Sequence, residues 1–164
     1  MASDVFLRIE GIPGESTDGE YGDWIEIAGY SHGLAQQVSS SMSSSGGLTS
    51  ERCDHGQFTV QKFLDKASVK LSEFCSQGST IDEIELCLNR AAGGGQRVKY
   101  MTYLMKHVLV AGYSVGGGDS GVPMETVNFA YGTIEWTYTQ QLMADGTGGG
   151  QISAGWDCEQ NQPI

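Results

Sequence analysis

With 164 residues, the chain is long enough for one domain that buries roughly 70% of the surface its unfolded form exposes, and 39% apolar content with 9% aromatic is ordinary for a globular protein. A net charge of −11, with only nine scattered Lys and Arg, excludes a duplex-binding surface, which needs clustered cations against phosphate. No apolar run is long enough to cross a membrane, and Met1-Ala2-Ser3-Asp4 lacks the basic and apolar parts of a signal peptide, so the sequence predicts a chain made in the cytoplasm, without membrane insertion and without a leader.

Period-two alternation dominates and predicts antiparallel strands with one buried face. Val5, Leu7 and Ile9 form the first apolar row. Gly11, Gly14, Glu15, Ser16 and Asp18 read as a polar turn in which Ser and Asp bond nearby backbone N–H groups. Ile25 and Ile27 form the second row, and Phe58, Val60 and Leu64 the third. Between them, Ser39 through Gly56 has no periodicity and is too long for an ordinary connection, which marks it as disordered or as a functional arm. One short helix is expected from Ser68 to about Gln77, with Ser68 as N-cap, Leu71, Phe74 and Cys75 at helical spacing, and Gly78 in the left-handed position that ends it.

Ile84, Leu86 and Leu88 form the fourth row, with Glu83 and Glu85 on the opposite, solvated face. Gly93-Gly94-Gly95 reads as a hairpin connection into Val98–Tyr113, where β-branched and aromatic residues favour strand over helix. Gly116-Gly117-Gly118 and Gly148-Gly149-Gly150 read as turns or loops; neither is followed by the Lys-Ser or Lys-Thr of a phosphate cradle. From Thr126 to Thr139 the apolar row changes face: Val127, Phe129 and Tyr131 lie on one side and Ile134, Trp136 and Tyr138 on the other. Gly132 sits at the change, where a bulge or bend can re-aim the pleat, so that one half can serve the core and the other an interface.

The candidate chemistry is sparse. Cys53, Cys75, Cys87 and Cys158 show no paired spacing and read as separate reduced thiols. Glu51, Cys53, Asp54 and His55 lie in a Ser/Gly-rich stretch without the paired ligands of a structural metal site. His32, His55 and His107 have no nucleophile elbow to serve, so no catalytic residue, metal or cofactor is assigned. Trp24, Trp136 and Tyr138 read as core or subunit-interface aromatics.

Several short patterns recur in one order along the chain: Phe6, Ile9, Gly11-Ile12, Gly14-Glu15-Ser16 and Asp18; Trp24-Ile25-Glu26-Ile27 and Gly29-Tyr30-Ser31; Asp65, Ala67-Ser68 and Leu71; Arg90-Ala91-Ala92-Gly93; Tyr100 and Tyr103-Leu104; Pro123, Glu125, Val127, Phe129, Tyr131, Ile134, Trp136 and Tyr138. In this order and spacing the chain resembles the Hcp family, the haemolysin-coregulated proteins that build the inner tube of the bacterial type VI secretion system. The resemblance implies a mainly β fold: a small β-barrel of two antiparallel sheets with one short α-helix and a long extended loop, assembling as a hexameric ring. It implies one tube domain over residues 1–164, with no appended effector domain and with residues 39–56 bridging stacked rings, Met42, Leu48, Thr49, Glu51 and Arg52 among them. It places the strand Trp24 to Ser31 on the lumen wall, with Ser31 and His32 as effector contacts.

The implied partners are further copies of the chain, a spike protein of the VgrG type, a contractile sheath and effector proteins. The implied role is that of a structural, non-enzymatic subunit, cytoplasmic when assembled and then secreted without a signal peptide. The rival reading of the same residues is a monomeric all-β carbohydrate- or peptide-binding module with exposed aromatics as its platform.

Overall fold

A computed structural model describes residues 4–38, 50–92, 95–141 and 148–164. Strands β1 (Val5–Ile9), β2 (Ile25–Glu26), β3 (Gly29–Ser31), β4 (Leu34–Val38), β5 (Ser50–His55) and β6 (Phe58–Phe63) are followed by the helix α1 (Ala67–Gln77). Strands β7 (Thr80–Ala91), β8 (Arg97–Gly116), β9 (Met124–Ala130), β10 (Thr133–Gln141), β11 (Gly148–Asp157) and β12 (Gln162–Pro163) complete the chain. They form a ten-stranded antiparallel sheet and a separate two-stranded sheet, β4 with β5.

The large sheet is organised by β8, whose 20 residues are shared between two parts of the molecule. One edge pairs with β7 from Arg97 to Leu109. Along the other edge, Met101–Lys106 pairs with β10, and Leu109–Gly116 pairs with β9. The strand turns a corner between these halves, where His107 takes a positive φ of 53° and the register slips at Val110/Gly112. A bulge of this kind sharpens the local twist. Past the corner, β9 pairs with β6 and β6 with β3. The backbone at Ile27 bonds to Val5 while that at Ala28 bonds to Gln61, so the segment from β2 to β3 joins the two free edges. The result is a small barrel of β1, β7, β8, β9, β6 and β3, from which β10, β11 and β12 extend as a wing.

The alternating rows fill the barrel. Leu7, Ile25, Phe58, Val60, Ile84, Leu86, Met105, Val127, Phe129 and Ile134 are inaccessible to solvent. A second, smaller cluster lies on the opposite face of β1, where Phe6 stacks on Tyr21 with centroids 4.5 Å apart and Trp24 meets Tyr21 edge-on at 5.0 Å. Burial pushes the Cys87 thiol there up to about 12. The turn before it forms as expected: Ser16 is buried, and Asp18 accepts from the backbone N–H groups of Glu20 and Tyr21. Gly14 is required because a Cβ would collide with the backbone of Trp24.

Four expectations are corrected. Leu64 lies outside β6 and is 44% exposed; the third inward position of that strand is Lys62, fully buried. Ser68 does not cap α1 but sits in its first turn, and the Asp65 carboxylate accepts the Ala67 N–H instead, at 2.9 Å. Gly78 does end the helix in the left-handed conformation, with φ 66°. Gly148–Gly150 begins β11 and is not a loop.

The fourth correction concerns Gly132. Strand pairing is interrupted at Tyr131-Gly132, between β9 and β10, and the Gly132 N–H donates to the carbonyls of both Lys106 and His107. This irregularity shifts the phase of the apolar row by one residue while the strand bends, so Val127 and Phe129 before it and Ile134 and Trp136 after it all face inward. The change of phase thus keeps both halves on one face, with Ile134 in the core and Tyr138 left exposed at the far end.

Candidate assembly surfaces

The wing has two unlike faces. Cross-strand rows on its inner side run Met105, Ile134, Trp156; Tyr103, Trp136, Ala154; and Met101, Tyr138, Ile152. Burial fades along this series: Ile134 is inaccessible, Trp136 is half-buried against the core, Tyr138 is 43% exposed and Ile152 75%. The outer side is polar, with Thr102, Glu135, Thr137 and Ser153 lining a depression beside Glu83 and Glu85. Those two glutamates are solvated but not solitary, since both accept hydrogen bonds from the Arg8 guanidinium.

The two-stranded sheet is an arm. Every residue of β4 is exposed, unlike any long strand of the barrel, so no core holds it. The expected irregular stretch 39–56 is thus corrected over its described part, where residues 50–55 pair with β4. The base of the arm overhangs the aromatic face of the wing. Leu34, Gln36, Arg52, Cys53 and His55 on one side and Trp136, Trp156 and Asn161 on the other enclose a groove of about 420 Å³. The Arg52 guanidinium donates to the carbonyl of Cys158.

Where the arm leaves the barrel, two histidines converge on one hydroxyl. Tyr131 Oη lies 2.6 Å from His32 Nε2 and 3.0 Å from His55 Nδ1. The His32 ring also stacks on Phe58 with centroids 5.2 Å apart. Burial lowers the basicity of both imidazoles, and for His32 the neighbouring His55 adds to it.

A polar network that the sequence did not announce pins α1 to the barrel. Lys62 Nζ lies 2.5 Å from Glu125 Oε1 and 2.8 Å from Asp65 Oδ1, and Ser68 Oγ donates to Glu125. Burial alone would raise the Glu125 carboxyl, but hydrogen bonds from Lys62, Ser68 and Tyr113 outweigh it and hold the group below its ordinary value. Period two gave the signal: Lys62 follows Phe58 and Val60 on an inward row, and Glu125 precedes Val127 and Phe129 on another.

The predicted site residues are dispersed. Ser31 is exposed at the end of β3, opposite Thr59, whereas His32 turns inward to Tyr131. Met42, Leu48 and Thr49 lie outside the described residues, Glu51 contributes its backbone to β5, and Arg52 is exposed on the arm. Trp24 is half-buried in the small cluster, far along the sheet from Trp136 and Tyr138, which share the inner face of the wing. All four cysteines are free thiols, and the described residues hold no group of three or more metal-ligating side chains.

The described residues thus form a barrel with its own core, a partly exposed aromatic wing and an arm without a core of its own. The family model described as "Type VI secretion system effector, Hcp" matches residues 6–138. The chain is a member of the Hcp family. It is 32% identical over 162 residues to protein hcp1 of Pseudomonas aeruginosa, covering 98% of each chain. It superimposes on a solved type six secretion system protein with a TM-score of 0.90 and 32% identity, covering 99% of this chain and all of the other. Against Hcp1 from Salmonella typhimurium the TM-score is 0.81 with 29% identity and complete coverage of both. Hcp membership makes the chain a structural subunit of the type VI secretion tube. No helix among the described residues is long and apolar enough to cross a membrane.

Proposed function

We propose that this Hcp chain forms a homohexameric ring through the uncovered inner face of its wing, and that the rings stack through the arm into a tube. The carrying observation is the arm itself: a hairpin with every described β4 residue exposed, Leu34 and Val38 among them, on a barrel that is complete without it. Heterologous contacts that close into a ring leave no open aggregating edge, and the fading burial from Ile134 to Ile152 suits a face that another copy continues. Each copy carries −11, so ring formation is favoured by salt that screens like charge.

In this reading the chain acts without catalysis. It is cytoplasmic when assembled, is enclosed by a contractile sheath and tipped by a spike protein, leaves the cell without a signal peptide, and carries effectors in a lumen to which Ser31 contributes. Residues 1–164 act as one tube domain. Shortening Ser39–Gly47 tests the arm. Thermal unfolding and ring formation are expected to stay near wild type, because a surface loop tolerates length change at small entropic cost, while tube formation and secretion are lost. A large loss of stability would show that the segment is packed in the fold. The groove between the arm and Trp136 and Trp156 favours the rival reading of a monomeric binding module; light scattering after size exclusion decides, since a stable monomer at micromolar concentration overturns the ring.

A further inference from the structure

The Tyr131 hydroxyl has one proton to give, and two imidazoles reach it. With both histidines neutral it donates to one ring nitrogen and accepts from the N–H of the other, so three groups from three segments are satisfied at once: the β3–β4 link, β5 of the arm and the corner between β9 and β10. We propose that Tyr131, His32 and His55 form an acid-sensitive latch that holds the base of the arm on the barrel and opens when the second imidazole takes up a proton.

The proton count gives the order of events. One proton is tolerated: a charged imidazole donates to the Tyr131 oxygen, and the hydroxyl donates onward to the neutral ring. A second proton leaves two N–H donors aimed at one oxygen, a hydroxyl hydrogen without an acceptor, and two like charges joined through a single atom. Few surrounding groups offset this. Phe58 and Tyr103 face His32 with aromatic rings, and Tyr30 packs behind Tyr103. On the arm, Asp54 favours a charged His55, Arg52 opposes it, and Cys53 lies between them. From the β11–β12 turn Cys158, and from the arm Cys53, lie near Tyr131, while Glu159 is already engaged with His107 at 3.3 Å. His55 meets the Tyr131 ring edge-on, with centroids 5.8 Å apart, so packing and hydrogen bond act on the same contact.

Burial makes both histidines poorer bases than free imidazole, so the docked arm binds fewer protons than the released arm. The latch is therefore fully closed above the ordinary imidazole value of about 6.5 and weakens as pH falls below it.

Hydrogen exchange of the intact ring tests the latch without reference to stacking. After correction for intrinsic rates, protection of amides in β4 and β5 is expected to fall at least about tenfold between pH 7.5 and pH 4.5, while β7 amides hold theirs. Tyr131→Phe keeps the ring and removes the hydroxyl; its arm should exchange at the open rate at both pH values. His55→Gln removes the second charge, so its arm should show no acid response. Equal arm protection of the wild type at both pH values, or a wild-type acid response in Tyr131→Phe, overturns the latch. Tubes that come apart at acid pH would extend it to ring stacking; tubes that persist while the arm opens would count against the arm as the stacking element and leave the latch standing.

Discussion

Two polar clusters join separate elements of this Hcp protein, and they differ in how much water they exclude. At one, Lys62 and Glu125 are wholly buried with Ser68 and Asp65 around them, and they tie α1 to β6 and β9. At the other, Tyr131 gathers His32 and His55 at the half-buried root of the arm. A buried pair of full charges is costly to break because either partner left alone is an unsolvated ion, so the first cluster is rigid and belongs to the fold. Neutral imidazoles cost far less to bury and take up protons as pH falls below the ordinary imidazole range, so the second can yield without unfolding the barrel. The molecule thus keeps its rigid cluster inside the barrel and its adjustable one at the root of the arm.

The sharpest way to break the contrast is at the buried pair. Lys62→Met should cost about 3–5 kcal/mol in urea unfolding, because Glu125 is left buried and unpaired, whereas Lys62→Met with Glu125→Leu should recover most of that loss. A single substitution as mild as the double would show that water reaches the site.

Next in size is the wing. Trp136→Ala should lower stability by about 2 kcal/mol, less than the usual cost for a fully buried Trp, and should shift the ring toward monomer by light scattering. If the ring persists at micromolar concentration, the wing face is not a subunit contact.

Smaller still is the surface ion pair of Arg97 with Asp18, at 2.6 and 2.8 Å. The guanidinium holds the Asp18 carboxyl well below its usual range, helped by the backbone N–H of Glu20. A lowered native value means the contribution is present above the unfolded carboxylate value of about 4 and is lost as pH falls below it. Arg97→Ala should therefore lower stability modestly at neutral pH and flatten the acid limb of the stability curve below about pH 4, with variant and wild type converging as pH falls. An unchanged acid limb would show that the pair is screened.

The smallest effect on the fold is expected at Ser31, exposed on β3. Ser31→Gln should leave unfolding and ring formation unchanged yet reduce co-purification of an effector, since a contact on the lumen wall is repeated in every subunit. Full retention of effector would remove this position from the cargo surface.

What the sequence determined by itself was the inward rows and the family pattern. Leu7, Ile25, Phe58, Ile84 and Phe129 are legible as core because a strand alternates sides strictly, and Gly78 is legible as a helix end because few other residues accept a positive φ. Tertiary structure decided whatever depended on which rows meet. Lys62 breaks the apolar rule at an inward position and is explained only by Glu125, 63 residues away. Ser68 has the chemistry of a cap but was recruited by that same pair, and the Asp65 carboxylate, ahead of the helix, accepts the first helical N–H at Ala67. Gly132 announces a change of phase in either reading, and only the bend of the chain along β8 reveals that the change preserves the inner face. The meeting of His32, His55 and Tyr131 was likewise invisible, because a hydrogen bond between residues 99 positions apart leaves no local periodicity to read.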